Sequence, residues 1–173
     1  PKEIKSPYLI TQAHFLACHN FSFLGKYEMV KNLKEGGVFL LNSSFGAGKV
    51  WQQIPGRVQS QIVSKKLKFY VVDGLGLAKK LGLGGRINMI MQTAFFKISA
   101  VMPELEAVSA IKNAIKKTYG KKGDAVVQMN LDAVDLALAS IEEVSYTEVD
   151  QSIEPFSSVS KNAPDFVKEV TAE

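Results

Sequence analysis

The sequence has a single cysteine, Cys18. This excludes an internal disulfide, and it excludes a four-thiolate iron–sulfur or zinc site built by this chain alone. No stretch reaches the roughly eighteen consecutive apolar residues of a membrane-spanning helix, and no basic-then-apolar segment opens the chain. The expectation is a cytoplasmic protein without a membrane partner. There is also no initiating methionine: the chain starts at Pro1, which fits a processed or excised piece of a longer polypeptide at least as well as a free-standing product. No internal repeat is visible.

What is present suits an ordinary α/β domain. With 173 residues, 46% of them apolar and 22% charged, the chain has one-domain length and can bury roughly 70% of its unfolded surface. Charge is divided along it. Residues 142–173 hold eight acidic residues against Lys161 and Lys168, a net of −6, which leaves 19 basic and 9 acidic residues and a net of +10 in residues 1–141. A basic body attracts anions such as phosphates, nucleic acid or an acidic protein surface. Basic residues that merely solvate helices give the same count. Nucleic acid is not expected as a partner, because the lysines gather at helix ends without the interleaved aromatics that single-strand binding uses.

Residues 14–18 (HFLAC), 38–41 (VFLL) and 67–72 (LKFYVV) are short apolar runs without alternation, as strands covered on both faces of a parallel sheet read. Helical spacing lies between them. Phe23, Tyr27, Val30 and Leu33 or Lys34 follow a Ser22 that suits a cap, and Gly36-Gly37 ends that segment; residues 49–66 form a second helical stretch broken at Pro55-Gly56. This βαβαβ order predicts a three-layer α/β/α fold with a mostly parallel sheet. Beyond Asp73 the pattern is helical. Gly84-Gly85 introduces a buried helix over 86–100, and Pro103 opens another, with Glu104 and Glu106 in its first turn and Lys112, Lys116 and Lys117 before Gly120. A last helix starts near Asp124, with Val127, Leu131, Val134, Leu138 and Ile141 on one face. From Glu142 the pattern weakens into an acidic, Ser-rich and Pro-containing tail, within which 144–149 suits an edge strand. The division expected is a domain over 1–141 and a strap or linker over 142–173.

Several motifs fail on chemistry. Phe45-Gly46-Ala47-Gly48-Lys49 stands where a phosphate loop would, but its first glycine position is Ser43 and the metal-binding hydroxyl position is Val50. Asp73-Gly74-Leu75-Gly76 lacks the third glycine of the dinucleotide fingerprint, that place being Lys79, and reads as a tight strand-to-helix turn. Cys18-His19-Asn20 offers a nucleophile, a base and an amide, yet neighbours on a strand face opposite ways, so Cys18 reads as a core residue. His19, Asn20, Asn42 and Asp73 nevertheless stand at the carboxyl ends of strands, where open α/β sheets hold ligands. The sharpest local signal is residues 82–88 (GLGGRIN). Paired glycines permit close approach, a helix start presents free N–H groups, Arg86 suits a phosphate, and Asn88 suits an amide or thiol-bearing arm. A glycine-capped turn before a buried helix, with Arg86 in a salt bridge, is the bland alternative.

The blocks 6–10 (SPYLI), 17–28 (ACHNFSFLGKYE), 36–43 (GGVFLLNS), 65–73 (KKLKFYVVD), 82–96 (GLGGRINMIMQTAFF) and 115–123 (IKKTYGKKG), with the VQMN…AVD pattern of 127–135, closely resemble the gamma-type middle domain of pyruvate:ferredoxin (flavodoxin) oxidoreductases, 2-oxoacid oxidoreductases. The resemblance covers residues 5 to 141, with a looser likeness in the tail. It implies an enzyme that converts pyruvate and coenzyme A to acetyl-CoA and CO2, using thiamine diphosphate and [4Fe-4S] clusters and passing electrons to ferredoxin or flavodoxin. It implies that this domain faces coenzyme A and neighbouring domains or subunits of a homo-oligomer, holds no cofactor alone, and is not active by itself. In the family this domain opens with a glycine-rich strand-to-helix turn well before SPYLI. Here that portion is missing, so a partial domain is expected.

Two functions are compatible with these residues. As an enzyme component, the chain would present Lys5 and Arg86 to the coenzyme A phosphates and Asn88 as an orienting amide, with no catalytic residue and no metal ligand of its own. As a non-catalytic structural or interaction module, its basic surface and acidic strap would only organise neighbouring domains.

Overall fold

The three apolar runs become the parallel part of a four-stranded sheet. The computed structural model describes residues 11–146 and residue 164. In chain order they form β1 (Ala13–Cys18), two 3-10 turns (Phe21–Gly25 and Met29–Asn32), β2 (Leu33–Asn42), α1 (Ala47–Val50), a third 3-10 turn (Trp51–Gln53), α2 (Gly56–Ser64) and β3 (Lys68–Val72). Then come α3 (Gly74–Lys80), α4 (Asn88–Ser99), α5 (Glu104–Tyr119), a short 3-10 turn (Gly120–Lys122), α6 (Asp124–Ser140) and the two-residue β4 (Glu142–Glu143). The strand order is β1-β2-β3-β4, with β1, β2 and β3 parallel and β4 antiparallel to β3.

Alternation along the strands divides the core between two faces. Phe39 and Leu41 of β2 and Phe69 and Val71 of β3 meet Val50 of α1, Val58 and Ile62 of α2, and Ile54 from the segment between them. The Phe39 and Phe69 rings are stacked 5.2 Å apart and fully buried, so truncating either to Ala costs about 3–5 kcal/mol. On the opposite face Leu40 and Val72 meet Ala78, Ile90, Ala94, Ala133 and Ala137 of α3, α4 and α6. Ala94 on α4 and Ala133 and Ala137 on α6 let these two helices lie close to each other, with α4 against β1 and β2. α5 packs outside them through Ile111 and Ile115 against Val134, and Lys112 pairs with Asp135 at 2.6 Å. The three-layer α/β/α reading therefore holds, with α5 added beyond the third layer. No helix among the described residues is long and apolar enough to cross a membrane.

The helix expected over Phe23 to Leu33 is replaced by two 3-10 turns. Asn20, not Ser22, is the cap, its Oδ1 accepting from the Ser22 N–H at 3.0 Å and from the Ser22 hydroxyl at 2.9 Å. Lys65 Nζ then donates to the carbonyls of Val30 (3.3 Å), Leu33 (2.8 Å) and Lys31. Such convergence pulls the carbonyls out of helical register and turns Leu33 into the start of β2. Gly36, at φ +68°, and Gly37 do not stop a helix but form an irregularity inside β2, where a Cβ on Gly37 would lie 2.8 Å from the Lys34 carbonyl.

Two boundaries also move. The buried helix begins at Asn88 rather than Arg86, because the Arg86 N–H bonds to the Leu83 carbonyl at 3.3 Å in the preceding turn. The edge strand predicted over 144–149 is displaced to Glu142–Glu143, after which the Val144 N–H still bonds to the Phe69 carbonyl at 2.8 Å. Tyr146 donates its hydroxyl to the Leu67 carbonyl at 2.6 Å and stacks on Trp51. The rest of that predicted strand, 147–149, lies outside the described residues.

Candidate functional site

The carboxyl ends of the parallel strands bring His19 and Asn20, Asn42 to Ser44, and Asp73 to one edge of the sheet. Asn42 braces that edge. It is 4% exposed, its Nδ2 donates to the His19 carbonyl at 2.8 Å, and its Oδ1 accepts from the Gly74 N–H at 2.9 Å. With both ends of its carboxamide engaged inside the protein, Asn42 is a structural tie between the loops after β1 and β3. Asp73 is likewise committed: its Oδ1 accepts from the Gly76 N–H at 2.8 Å and caps α3. A Cβ on Gly76 would come within 2.1 Å of Asp73 Oδ2, so the DGLG segment is a cap closed against its own turn. Beside these residues lies a crevice of about 300 Å³ lined by His19, Asn20, Ser44, Asp73 and Leu75.

Cys18 and His19 part company as neighbours on a strand must. Cys18 is buried among the α1 and α2 contacts, where its Sγ approaches the Asn20 carbonyl at 3.1 Å and burial pushes the thiol pKa up. That is the reverse of what a thiolate nucleophile requires. His19 is exposed and also lines a second cavity, the groove between β1 and α4. The rejected phosphate loop has an internal occupant, since the Ala47 N–H bonds to Glu142 Oε2 at 2.9 Å.

Residues 82–88 form two tight turns, with Gly82 at φ +72° and Gly84 at φ +64°. These left-handed positions are why glycine is needed here. Arg86 is exposed, and its Nε donates to the Leu83 carbonyl at 3.1 Å, within the turn itself. The salt bridge that the bland alternative requires is not found among the described residues. Asn88 is the exposed first residue of α4 and lines a groove of about 390 Å³ with His19, Gln92, Phe15, Met91 and Phe95. The groove has a polar end, at His19 and Asn88, and an apolar end, where Phe15 and Phe95 meet edge to face at 4.9 Å.

Of the three residues expected at coenzyme A, Lys5 lies outside the described residues. Arg86 and Asn88 come out exposed and two positions apart, but only Asn88 lines the groove. Gln92 is a groove residue that the sequence reading misses, although its i+4 spacing from Asn88 puts both on one helix face. Asn42 is legible in sequence only as a strand-end residue, and its partners are 23 and 32 residues away. Among the described residues no three His, Cys, Asp or Glu side chains stand together as metal ligands.

Residues 1–140 match the family model described as pyruvate ferredoxin/flavodoxin oxidoreductase. The chain is 51% identical over 143 residues to a pyruvate:ferredoxin oxidoreductase of Moorella thermoacetica, covering 83% of this chain and 12% of that protein. It is 44% identical over 174 residues to a pyruvate-flavodoxin oxidoreductase of Rhodospirillum rubrum, covering 99% of this chain and 14% of the relative. The chain thus spans only a small part of the length of the curated relatives it matches. Among solved structures, the PORC subunit of the Thermotoga maritima pyruvate oxidoreductase shares the fold at a TM-score of 0.62 and 18% identity, over 79% of this chain and 67% of that one.

Proposed function

The chain belongs to the pyruvate ferredoxin/flavodoxin oxidoreductase family, and we propose that it lends coenzyme-A-facing and interdomain surface to a 2-oxoacid oxidoreductase whose chemistry is carried by the rest of a longer polypeptide. The reaction proposed for the whole is pyruvate and coenzyme A to acetyl-CoA and CO2, with electrons passed to ferredoxin or flavodoxin. Thiamine diphosphate and [4Fe-4S] clusters belong, in this reading, to neighbouring segments of a cytoplasmic homo-oligomer. Residues 142–173 act as a strap toward an adjoining domain, beginning from the seat of Val144 and Tyr146 on β3.

One observation carries the coenzyme A reading: Arg86 is exposed two positions before Asn88, which lines the polar end of a groove, and among the described residues only its Nε is hydrogen-bonded. Its two terminal nitrogens bond to nothing among the described residues and suit bidentate contact with a phosphate. Asn88 and Gln92 offer hydrogen bonds to the amides of the coenzyme's arm, and Met91 offers an apolar wall beside them. Coenzyme A supplies the thiol that takes the acyl group; these residues bind and orient it. Lys5 is a further phosphate partner in this proposal.

The test is made on the whole enzyme. The expected result is that peptides of this chain co-purify in a polypeptide of the relatives' length with iron and thiamine diphosphate, and that Arg86→Ala weakens coenzyme A alone. A pure structural module would instead leave coenzyme A untouched and lose assembly on surface changes. Val101, 65% exposed in the α4–α5 connection, and Leu105, 86% exposed in the first turn of α5, are the residues that favour an interaction role beside the binding one.

A further inference from the structure

An edge strand usually guards itself with charge, proline or a bulge directed outward. β1 does not. Among the described residues it stands at the end of the sheet with no partner on its outer side, yet its sequence AHFLAC carries no formal charge and its apolar residues fall on both faces. Phe15 and Ala17 join the α4 face and Leu16 and Cys18 the α2 face. Leu16 and Ala17 are each only half-buried, whereas Phe39 and Leu40, their partners on β2, are fully buried, and Phe15 and its partner Val38 are both half-buried. This is the composition of an internal strand in an outermost place. Alongside it the apolar end of the β1–α4 groove lies open at Phe15 and Phe95.

From these features we infer that the outer edge of β1 is a docking site for an extended segment of the larger polypeptide, a strand with apolar side chains on both faces that extends the sheet by one and fills the Phe15–Phe95 end of the groove. Main-chain hydrogen bonds along β1 would give the affinity, and the groove would select the side chains. Two observations single out this occupant. The curated relatives extend well beyond the matched span. A second copy is disfavoured by charge, since it would bring together two bodies of net +10 each over residues 1–141. The inference rests on the chain working inside the larger oxidoreductase, but not on the coenzyme A assignment.

Hydrogen exchange on the assembled enzyme reads the edge directly. The outward N–H groups of Ala13–Cys18 should exchange about a hundredfold or more slower than unpaired amides, comparably to those of β2. Fast exchange there, with β2 protected, overturns this inference and leaves the component reading intact. A photoreactive benzoyl-phenylalanine in place of Phe15 then identifies the occupant. A cross-link to peptide outside residues 1–173 supports the proposal. A cross-link to residues 1–10 of the same chain, or to Phe15 of a second copy, overturns it. If the chain is found only by itself, with no longer polypeptide around it, this inference and the component reading fall together.

Discussion

Asn42 and Gly74, 32 residues apart, are joined by a buried hydrogen bond in which the side-chain oxygen of the first accepts from the backbone N–H of the second at 2.9 Å. The same side chain also donates to the His19 carbonyl, so the loops after β1 and β3 are tied to the end of β2 by one carboxamide. Asn42→Ala leaves a buried donor and acceptor without partners and should destabilise by about 2–4 kcal/mol. At this chain length each kcal/mol lowers Tm by about 2–4 °C. A thermal scan within a degree of the parent would refute the role of Asn42 as a tie.

Arg86→Ala in the whole enzyme should raise the KM for coenzyme A by about tenfold, the loss of about 1.5 kcal/mol of charge-assisted bonding, with the KM for pyruvate unchanged. Because Arg86 is exposed and bonds only within its own turn among the described residues, the substitution should leave Tm alone. Steady-state kinetics at saturating pyruvate make the measurement. An unmoved coenzyme A KM removes Arg86 from the site.

Asp73 and Gly76 should show strong coupling. Asp73→Ala removes the cap of α3 and should cost about 1 kcal/mol. Gly76→Ala gains about 1 kcal/mol of helix propensity but collides with the capping carboxylate, so in the parent it should be near neutral or destabilising. Once Asp73 is already Ala, the collision is gone, and Gly76→Ala should stabilise. Four denaturation curves complete the cycle, and simple additivity would show that the carboxylate and the glycine do not constrain each other.

Alkaline pH should loosen the fold. Burial raises the pKa values of Cys18, Tyr70 and Tyr146 above their ordinary range, and Glu143 adds to the effect at Tyr70. A group whose pKa is higher in the folded state contributes stability that is complete below its unfolded pKa, about 8.5 for a thiol and 10 for a phenol, and is lost as pH climbs through the folded value. Unfolding free energy should therefore fall from about pH 9 upward. Tyr146→Phe should flatten part of that slope, at the cost of the Leu67 hydrogen bond, about 1 kcal/mol at neutral pH. A denaturation midpoint constant from about pH 8 to 11 would contradict this.

How far these features can be read from residues depends on how local their causes are. β1, β2 and β3 announce themselves because apolar runs need cover on both faces, and α5 because Pro103, its first-turn acids and its last-turn lysines are all adjacent in sequence. The failed helix after Ser22 has a distant cause, the Lys65 ammonium gathering three carbonyls more than thirty residues back. Asn42 is similar: its residue type and its place at a strand end are visible, but not the two loops it closes. At the candidate site, Arg86 and Asn88 follow from the glycine turn, whereas Gln92 needs the added step of projecting α4 onto one face. Lys5 has no structural reading, since it lies outside the described residues.

The sheet's order, in which every strand lies beside the one made just before it, bears on how the chain comes off the ribosome. Each new strand finds its template already laid down, so the parallel core can grow in step with synthesis, with no need to wait for distant sequence before closing a ladder. The Leu40 and Val72 face of that sheet, by contrast, stays bare until α4 and α6 have followed, so one half of the core closes during synthesis of the sheet and the other only after it.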